Sequence, residues 1–256
     1  MKPRITACIL CSLCLTFFIS GCGTNKTPGD SAAIFGNANE LYKKGNYDLA
    51  IVDYEKILNK GYESGDIYYN IGNCYFKKNK LGKAIVNYKR ALRLEPRDGD
   101  IRSNYKFAFS TVKRNVFAPQ KIFFLRFLGM AGKNLTVNEA AIIFSAAFCL
   151  LLVNILLYIS YIPTRRFFVI STLAILIVMV ASGYFVYKKA MLIEKEAIVL
   201  TEDAYARFEP FDRATTHFTL YEGEEVLLLE RMDSWCKIKR VDGKIGWVPS
   251  DSIEVI

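Results

Sequence analysis

The stretch Ala140–Tyr187 reads AAIIFSAAFCLLLVNILLYISYIPTRRFFVISTLAILIVMVASGYFVY and decides how the chain is organised. It contains two runs without a charged residue, 23 residues in Ala140–Ile162 and 21 in Phe167–Tyr187, which are separated only by Pro-Thr-Arg-Arg. A bilayer core about 30 Å thick needs roughly 20 apolar residues in a helix. The sequence therefore predicts a hairpin of two transmembrane helices, which we place at 137–162 and 167–188.

The link between the two runs is too short to hold a domain, so the segments before and after the hairpin are expected on the same side of the membrane. Thr136-Val-Asn-Glu139 has the form of a capping box and is predicted to start the first helix. Asn154 is expected to hydrogen-bond across to Ser171 or Ser182. The two runs hold no ionisable residue of the kind that transport needs, so we interpret the hairpin as an anchor.

Residues 1–22 have the features of a bacterial export signal. Lys2 and Arg4 precede an apolar run from Ile5 to Ile19, and small residues follow. The end of the run, Ile-Ser-Gly-Cys22, resembles a lipobox, in which the cysteine is lipidated; an ordinary signal peptide or an uncleaved anchor is the alternative. Charge counting around the hairpin favours cytoplasmic flanks, whereas the export signal favours the opposite orientation, which we adopt. We therefore expect a bacterial inner-membrane protein whose two soluble domains both face the periplasm.

Residues 31–64 and 65–98 align without gaps at a period of 34 residues. Small side chains at two aligned pairs, Ala38/Gly72 and Ala50/Ala84, allow paired helices to approach closely. The recurring positions hold Ile71, Gly72, Tyr75, Ala84, Tyr88, Ala91 and Pro96 in the second copy, and Asn37, Ala38, Leu41, Ala50, Tyr54, Ile57 and Tyr62 in the first.

These positions resemble the signature of the tetratricopeptide repeat (TPR), and the second copy carries the stronger match. The repeat predicts helical hairpins at 31–44 with 47–60 and at 65–78 with 81–94, then a capping helix at about 98–115, so that the solenoid spans 31–115.

The resemblance to TPR proteins implies that an extended peptide of a protein partner binds in a groove lined by the first helix of each repeat. Asn39 and Asn70 stand where carboxylate-clamp TPR proteins place peptide-binding asparagines, although the basic residues of that clamp are missing. The alternative is that the groove residues only solvate this face. The groove-facing residues that the resemblance implies are Phe35, Asn39, Tyr42, Asp66, Tyr69, Asn70, Asn73, Asp100 and Asn104.

Residues 116–136 join the solenoid to the hairpin. The segment Lys121–Met130 is apolar and aromatic but too short to span a bilayer. We expect an amphipathic juxtamembrane segment, which either lies in the membrane interface or packs under the solenoid.

From residue 197 the pattern changes to short strands, which predicts an all-β domain over 197–256. Trp235, the turn Asp242-Gly243 and the run Gly-Trp-Val-Pro249 fall in an order that resembles a bacterial SH3-like barrel. By that resemblance, Trp235, Pro249 and Ile253 form its surface, with Ile253 where those domains usually place a tyrosine, and the ligand is either a polyproline helix or a cell-wall peptide. Strands are expected at 197–200, 225–229, 236–241, 246–248 and 253–256.

Composition narrows the functional classes further. The chain carries a net charge of +9, with a balance of +7 over residues 32–114 and −5 over residues 197–256, which suits two different partners. No motif or basic stripe supports binding to nucleic acid. The seven cysteines show no metal-ligand or pairing pattern, and we find no nucleophile–base arrangement or phosphate loop. We therefore predict no enzyme, cofactor, metal or structural disulfide.

The order of signal, TPR repeats, membrane hairpin and SH3-like domain resembles the BatE proteins of the bacterial aerotolerance operon, over the whole mature chain. The residues that carry this resemblance are Gly72, Tyr75, Ala84, Pro96, the segment Asp98–Asn104 and the segment Gly246–Ile256. The resemblance implies a scaffold linked to aerotolerance or envelope stress, with von Willebrand A-domain membrane proteins as partners.

The predicted fold class is multi-domain, with an all-α TPR solenoid, a two-helix transmembrane hairpin and an all-β SH3-like barrel. Two functions stay open at this point. In the first, a scaffold binds protein partners through the TPR groove; in the second, the SH3-like domain binds peptidoglycan and makes the protein a cell-wall anchor.

Overall fold

The computed structural model describes residues 28–113, 135–160, 165–193 and 195–256. A helical TPR-like region, two apolar helices and an antiparallel sheet follow one another, as predicted, and these three parts are confirmed. The predicted signal with Cys22 and residues 116–134 lie outside the described residues. The helices are α1 (Pro28–Lys43), α2 (Tyr47–Asn59), α3 (Gly65–Lys77), α4 (Leu81–Leu94), α5 (Gly99–Ser110), α6 (Val137–Ser160) and α7 (Arg165–Ile193). The strands are β1 (Glu196–Val199), β2 (Asp203–Arg207), β3 (Thr216–Tyr221), β4 (Glu225–Met232), β5 (Trp235–Arg240), β6 (Ile245–Pro249) and β7 (Ile253–Val255), with a 3-10 turn at Ser250–Ser252.

Local signals at equivalent positions set the ends of the solenoid helices. Gly45 and Asn79 lie one repeat apart, and both adopt a left-handed backbone, with φ of +80° and +56°, in the turn after a first helix. The side chains of Ser64 and Asp98 accept hydrogen bonds from backbone N–H groups at the starts of α3 and α5. The turns and caps thus recur with the repeat.

Small residues let the two helices of a repeat touch. A Cβ added at Gly72 would lie 2.7 Å from the ring of Tyr88, so that only glycine fits beside this tyrosine. Ala38, Ala50 and Ala84 are fully buried at the other close approaches. The small side chains predicted at these positions therefore have the packing role that the repeat requires.

The apolar helices α6 and α7 pack side by side, and each is long and apolar enough to cross a membrane. The capping box is confirmed, because Thr136 N donates to Glu139 Oε2 (2.8 Å) and Glu139 N donates to Thr136 Oγ1 (3.1 Å). Asn154 does bond across the hairpin, to Ser171 at 2.5 Å and from Thr172 at 3.0 Å. Ser182 bonds instead to carbonyl groups of its own helix.

The strands form one antiparallel sheet in the order β3-β2-β6-β5-β4-β1-β7. Among the described strands β3 and β7 are the edges, so the ladder of hydrogen bonds does not close into a ring. The inward side chains of all seven strands nevertheless share one buried cluster, formed by Ala197, Val199, Ala204, Ala206, Phe218, Leu220, Val226, Cys236, Ile238, Val248 and Ile253.

The sheet packs on the far end of the solenoid. Side chains alternate along a strand, and in β1 both sets are buried: Ala197 and Val199 join the core of the sheet, whereas Ile198 faces α4. A Cβ added at Gly82 would lie 2.5 Å from the carbonyl oxygen of Val199, so the backbones of α4 and β1 are in close contact. The shared cluster contains Ala84, Ile85, Val86, Tyr88, Ala108, Val112, Ile198 and Ile256.

Ion pairs surround this apolar contact. Lys89 Nζ lies 3.0 Å from Glu225 Oε1 and 3.3 Å from Glu196 Oε2, and Arg90 Nη2 lies 2.9 Å from Glu254 Oε1. Arg93 also faces Glu196, at 3.5 Å. The opposite charges of the two soluble parts, interpreted above as suiting two different partners, therefore face each other.

The docked solenoid and sheet lie at the open end of the apolar hairpin. Arg97 Nη2, just after α4, lies 2.9 Å from Glu139 Oε1 at the start of α6. Lys189, near the end of α7, donates to the carbonyl oxygen of Leu135. Both soluble parts are thus on the same side of the hairpin, as its short link predicted.

Candidate functional site

The first helices of the repeats are joined by a hydrogen-bonded triad of two asparagines and a tyrosine. Asn39 Oδ1, on α1, accepts from Tyr54 Oη at 2.5 Å and from Asn70 Nδ2 at 3.3 Å. The triad therefore connects α1 and α3 with the tyrosine of α2. All three side chains lie inside the solenoid or at the edge of its groove, where they are buried or half-buried.

A second triad lies one repeat further along the chain. Asn73 Oδ1 accepts from Tyr88 Oη at 2.8 Å and from Asn104 Nδ2 at 3.0 Å. Asn104 also donates to Tyr69 Oη at 2.9 Å. Each member of the second triad follows its counterpart by 34 residues, so the triad is a structural unit of the repeat.

The triads leave defined polar groups for a ligand. Both acceptor sites of the Asn39 and Asn73 carbonyl oxygens are occupied, so these side chains offer N–H donors, for which the described residues provide no partner. Asn104 uses both its N–H groups and keeps its oxygen as an acceptor, while Tyr69 keeps its hydroxyl proton. Both donors and an acceptor therefore remain available beside the triads, and an extended peptide backbone offers groups of both kinds to pair with them.

Burial keeps the triad tyrosines in their donor form. Desolvation raises the pKa of Tyr54 and of Tyr88 above the ordinary value near 10. Burial likewise raises the pKa of the Cys74 thiol to about 12, which leaves it protonated and unreactive. The interior of the groove wall is therefore neutral over the physiological pH range.

The other predicted groove residues divide into wall and rim. Phe35 packs against Tyr54 at a ring distance of 5.7 Å and Tyr42 against Tyr47 at 5.4 Å, so both support the wall. Asp66 and Asp100 are exposed at the starts of α3 and α5, one repeat apart, and make an acidic rim.

One groove residue was not predicted from the sequence. Phe107 follows Asn73 by 34 residues, is 62% exposed and contacts Phe76 at a ring distance of 5.7 Å. The repeat period, continued from Asn39 through Asn73 into α5, is the signal that would have found it. The groove thus becomes apolar at its far end.

Two of the three residues predicted on the SH3-like surface are neighbours. Trp235 and Pro249 are directly paired across β5 and β6, and Met232 pairs with Trp235 on the other side. Arg207 pairs with Trp247, so the same register two residues further brings Tyr205 beside Pro249. The outer face of the sheet therefore carries a row of exposed or half-exposed apolar side chains, formed by Tyr205, Pro249, Trp235 and Met232.

Ile253 does not belong to that surface. It is 6% exposed and pairs with Val199 in the core of the sheet. Its inward direction follows from the alternation of side chains along β7, which the sequence alone assigned to the opposite face.

Within the described ranges, no group of three His, Cys, Asp or Glu side chains is arranged to hold a metal ion. Cys74, Cys149 and Cys236 are free thiols, two of them buried in separate cores.

Comparison with protein families identifies one matching model, the tetratricopeptide repeat, over residues 65–98. This range is the second copy of the period found in the sequence. No curated protein matches the chain in a sequence comparison. The matched repeat indicates interaction with protein partners, since proteins use such repeats for binding other proteins.

Proposed function

We propose that this protein is a non-catalytic, membrane-anchored scaffold that binds an extended segment of a partner protein in its TPR groove. The observation that carries the proposal is the pair of asparagine–tyrosine triads. They hold free donors and acceptors at a constant spacing of one repeat, which suits the regular backbone of an extended peptide. The acidic rim at Asp66 and Asp100 favours a segment with cationic side chains on one side.

The location is part of the same proposal. The two apolar helices anchor the chain in the bacterial inner membrane, and the export signal at residues 1–22, with lipidation at Cys22, directs both soluble parts to the periplasm. The resemblance to BatE proteins supports a Bat-type complex, linked to aerotolerance or envelope stress, with von Willebrand A-domain membrane proteins as the partners.

The groove is best tested by site-specific photo-crosslinking of the full chain in its membrane. A photoreactive residue replaces Asp66 or Asp100 at the rim of the groove, or Leu49 on the outer face of α2, which is also exposed. We expect one or a few proteins to crosslink from the groove positions and not from position 49. Mass spectrometry of the crosslinked species identifies the partner and the bound segment.

Two asparagine substitutions and a matched control make this test specific. Asn70→Ala with Asn104→Ala removes one member of each triad, and at about 1 kcal/mol per hydrogen bond we expect groove crosslinks to fall about tenfold or more. Asn37→Ala is the control, because Asn37 lies on α1 but donates to Asp53, outside the triads. Equal crosslinking by all three forms would contradict the groove as the binding site.

A second candidate function is supported by the apolar row on the sheet. The surface formed by Tyr205, Trp235 and Pro249 is apolar and partly aromatic, like the surface that an SH3-like domain uses for binding, and the ligand is then peptidoglycan. Sedimentation of the detergent-solubilised full chain with purified cell-wall sacculi tests it. Binding that Trp235→Ala abolishes and Phe208→Ala preserves would favour this anchor function, while absence of sedimentation would exclude it.

A further inference from the structure

The solenoid begins a third repeat that has only one described helix. α5 starts at Gly99, 34 residues after α3 starts at Gly65, and therefore occupies the position of a first helix. In a TPR array the second helix of each repeat covers one apolar side of the first. The apolar side of α5, formed by Tyr105, Ala108 and Phe109, with Val112 just beyond its end, instead shares a buried cluster with α4. Tyr105 and Ala108 occupy the positions of Ile71 and Cys74, which face the preceding repeat.

The sheet packs on α4 and also reaches the end of α5. Ile198 and Ile256 share a buried cluster with Ala108 and Val112, and Tyr105 Oη donates to Glu225 Oε1 at 2.7 Å. The turn before β4 is equally close, because a Cβ added at Gly223 would lie 2.8 Å from side-chain atoms of both Val112 and Ile85. The covered area faces α4 and the end of α5, while Lys106, at the position of Gly72, remains exposed.

The same turn of α5 also faces the groove. Asn104 donates to Asn73 and to Tyr69, while its neighbour Tyr105 contacts the sheet. The position of Asn104 in the second triad therefore depends on what holds α5 against α4. Twelve residues of isolated helix are not stable in water, so α5 needs its tertiary contacts.

We propose that the docked C-terminal sheet supports α4 and the end of α5 and thereby positions Asn104 in the groove. Tyr105, Ile198 and Glu225 are positioning residues in this arrangement, and none of them contacts the groove itself. Ligand binding in the groove and docking of the sheet are then coupled, since each stabilises the same position of α5. The coupling to a ligand rests on the function proposed above, whereas the positioning of α5 does not.

Hydrogen exchange of the full chain in detergent tests the positioning without any ligand. Ile198→Asp places a charge in the contact, and Phe208→Asp is the control, because Phe208 lies just after β2 and is exposed. Carbodiimide crosslinking of Lys89 to Glu225, which lie 3.0 Å apart, reports whether the sheet is docked. With Ile198→Asp we expect the crosslink to be lost and the amides of α5 to exchange about tenfold faster or more, with α1 and α2 unchanged.

Unchanged exchange in α5 after loss of the crosslink would overturn the proposal. If Ile198→Asp also unfolds the sheet, seen as fast exchange in β5 and β6, the milder Tyr105→Phe variant decides, because it keeps the ring and removes the hydroxyl that donates to Glu225. Its α5 amides should exchange a few-fold faster than those of the native chain, and equal rates would again overturn the proposal.

Groove crosslinking, measured in the same variants, separates the positioning of α5 from its coupling to a ligand. Faster exchange of α5 together with weaker crosslinking from position 66 or 100 supports both the positioning and the coupling. Faster exchange with no groove crosslink in any form supports the positioning and rejects the proposed function. Faster exchange with undiminished groove crosslinking rejects the coupling.

Discussion

The second helices of the two repeats, α2 and α4, occupy equivalent positions but have different outer faces. Val52 on α2 is 47% exposed, whereas Val86, 34 residues later, is 0% exposed because the sheet covers it. Exposed Asp48 is likewise replaced by Gly82, whose backbone touches β1. The repeat thus specifies the inner side of both helices and leaves the outer side free to change.

The charged residues show the same difference. Where α2 has Glu55, Lys56 and Asn59, α4 has Lys89, Arg90 and Arg93, all three of which pair with carboxylates of the sheet. The outer side of α4 therefore carries small, apolar and basic residues. The interface between the two soluble parts is therefore encoded by the residues in which the second repeat differs from the first.

The sharpest way to break the comparison is to put a charge at the two equivalent valines. Val86→Asp buries an unpaired carboxylate under the sheet and should lower the free energy of unfolding by about 3 kcal/mol or more. Val52→Asp lies on the exposed face and should change it by less than about 0.5 kcal/mol. Urea unfolding of the full chain in detergent, followed by circular dichroism, measures both; similar losses would mean that the sheet does not cover α4.

A glycine substitution tests the backbone contact at the same interface. Gly82→Val introduces a side chain where a Cβ already lies 2.5 Å from the carbonyl oxygen of Val199, so we expect a loss of about 2 kcal/mol. Gly36→Val on α1 is the matched control, because a Cβ there meets nothing within 4 Å. The crosslink of Lys89 to Glu225 should disappear only with Gly82→Val. Its persistence would show that α4 and β1 are further apart than described.

The triads give a comparison in which the two repeats should behave alike. Tyr54→Phe and Tyr88→Phe each remove one hydrogen bond to an asparagine, and each should cost about 1 kcal/mol in urea unfolding. A large difference between the two would mean that the triads are not equivalent units.

The same tyrosines predict a loss of stability at alkaline pH. Burial raises the pKa of both tyrosines in the folded protein. As the pH rises above about 10, the ordinary pKa of a tyrosine, the unfolded state therefore loses these protons before the folded state does. The stabilising contribution is therefore complete below that pH and is lost above it. A Tyr54→Phe/Tyr88→Phe variant should show a smaller fall in melting temperature between neutral pH and pH about 11 than the native chain, and an equal fall would contradict the role of burial.

The smallest effect is expected from the ion pairs. Lys89→Met removes the pairs with Glu196 and Glu225 and should cost about 0.5–1 kcal/mol at low salt. The cost should shrink at about 1 M salt, where the native pairs are screened. Lys43→Met, which removes an exposed pair with Glu40 on α1, should have no measurable effect. A loss from Lys89→Met that does not depend on salt would point to packing of its aliphatic stem instead.

The helices of the solenoid and the hairpin could be predicted from the sequence because their signals are local. A 34-residue period and two uncharged runs appear directly in the order of residues. The sequence does not predict β2 and β3, because no clear local signal marks them. The inward positions of β2 are Ala204 and Ala206, which are too small to give a clear apolar alternation.

The groove was found only in part, because sequence spacing places side chains without showing which of their atoms are already bonded. Asn39 and Asn70 were identified as groove residues, but the occupation of Asn39 Oδ1 by Tyr54 depends on a tyrosine that the repeat signature assigns to the core. The contact between solenoid and sheet joins residues such as Gly82 and Glu222, 140 positions apart, and no local pattern predicts such a pairing.

These long separations also set an order of events during synthesis. The side-chain hydrogen bonds that join α4 and α5 to the sheet span 120 to 165 residues, and non-local contacts of this kind form slowly. Roughly 100 residues lie between the end of α4 and the start of β1, so at about 5–20 residues per second the ribosome completes the docking partner several seconds after the helix. Both apolar helices emerge during that interval. The outer face of α4 is therefore bare while the apolar hairpin is being made, and Ile85 and Val86 stay uncovered until the sheet has folded.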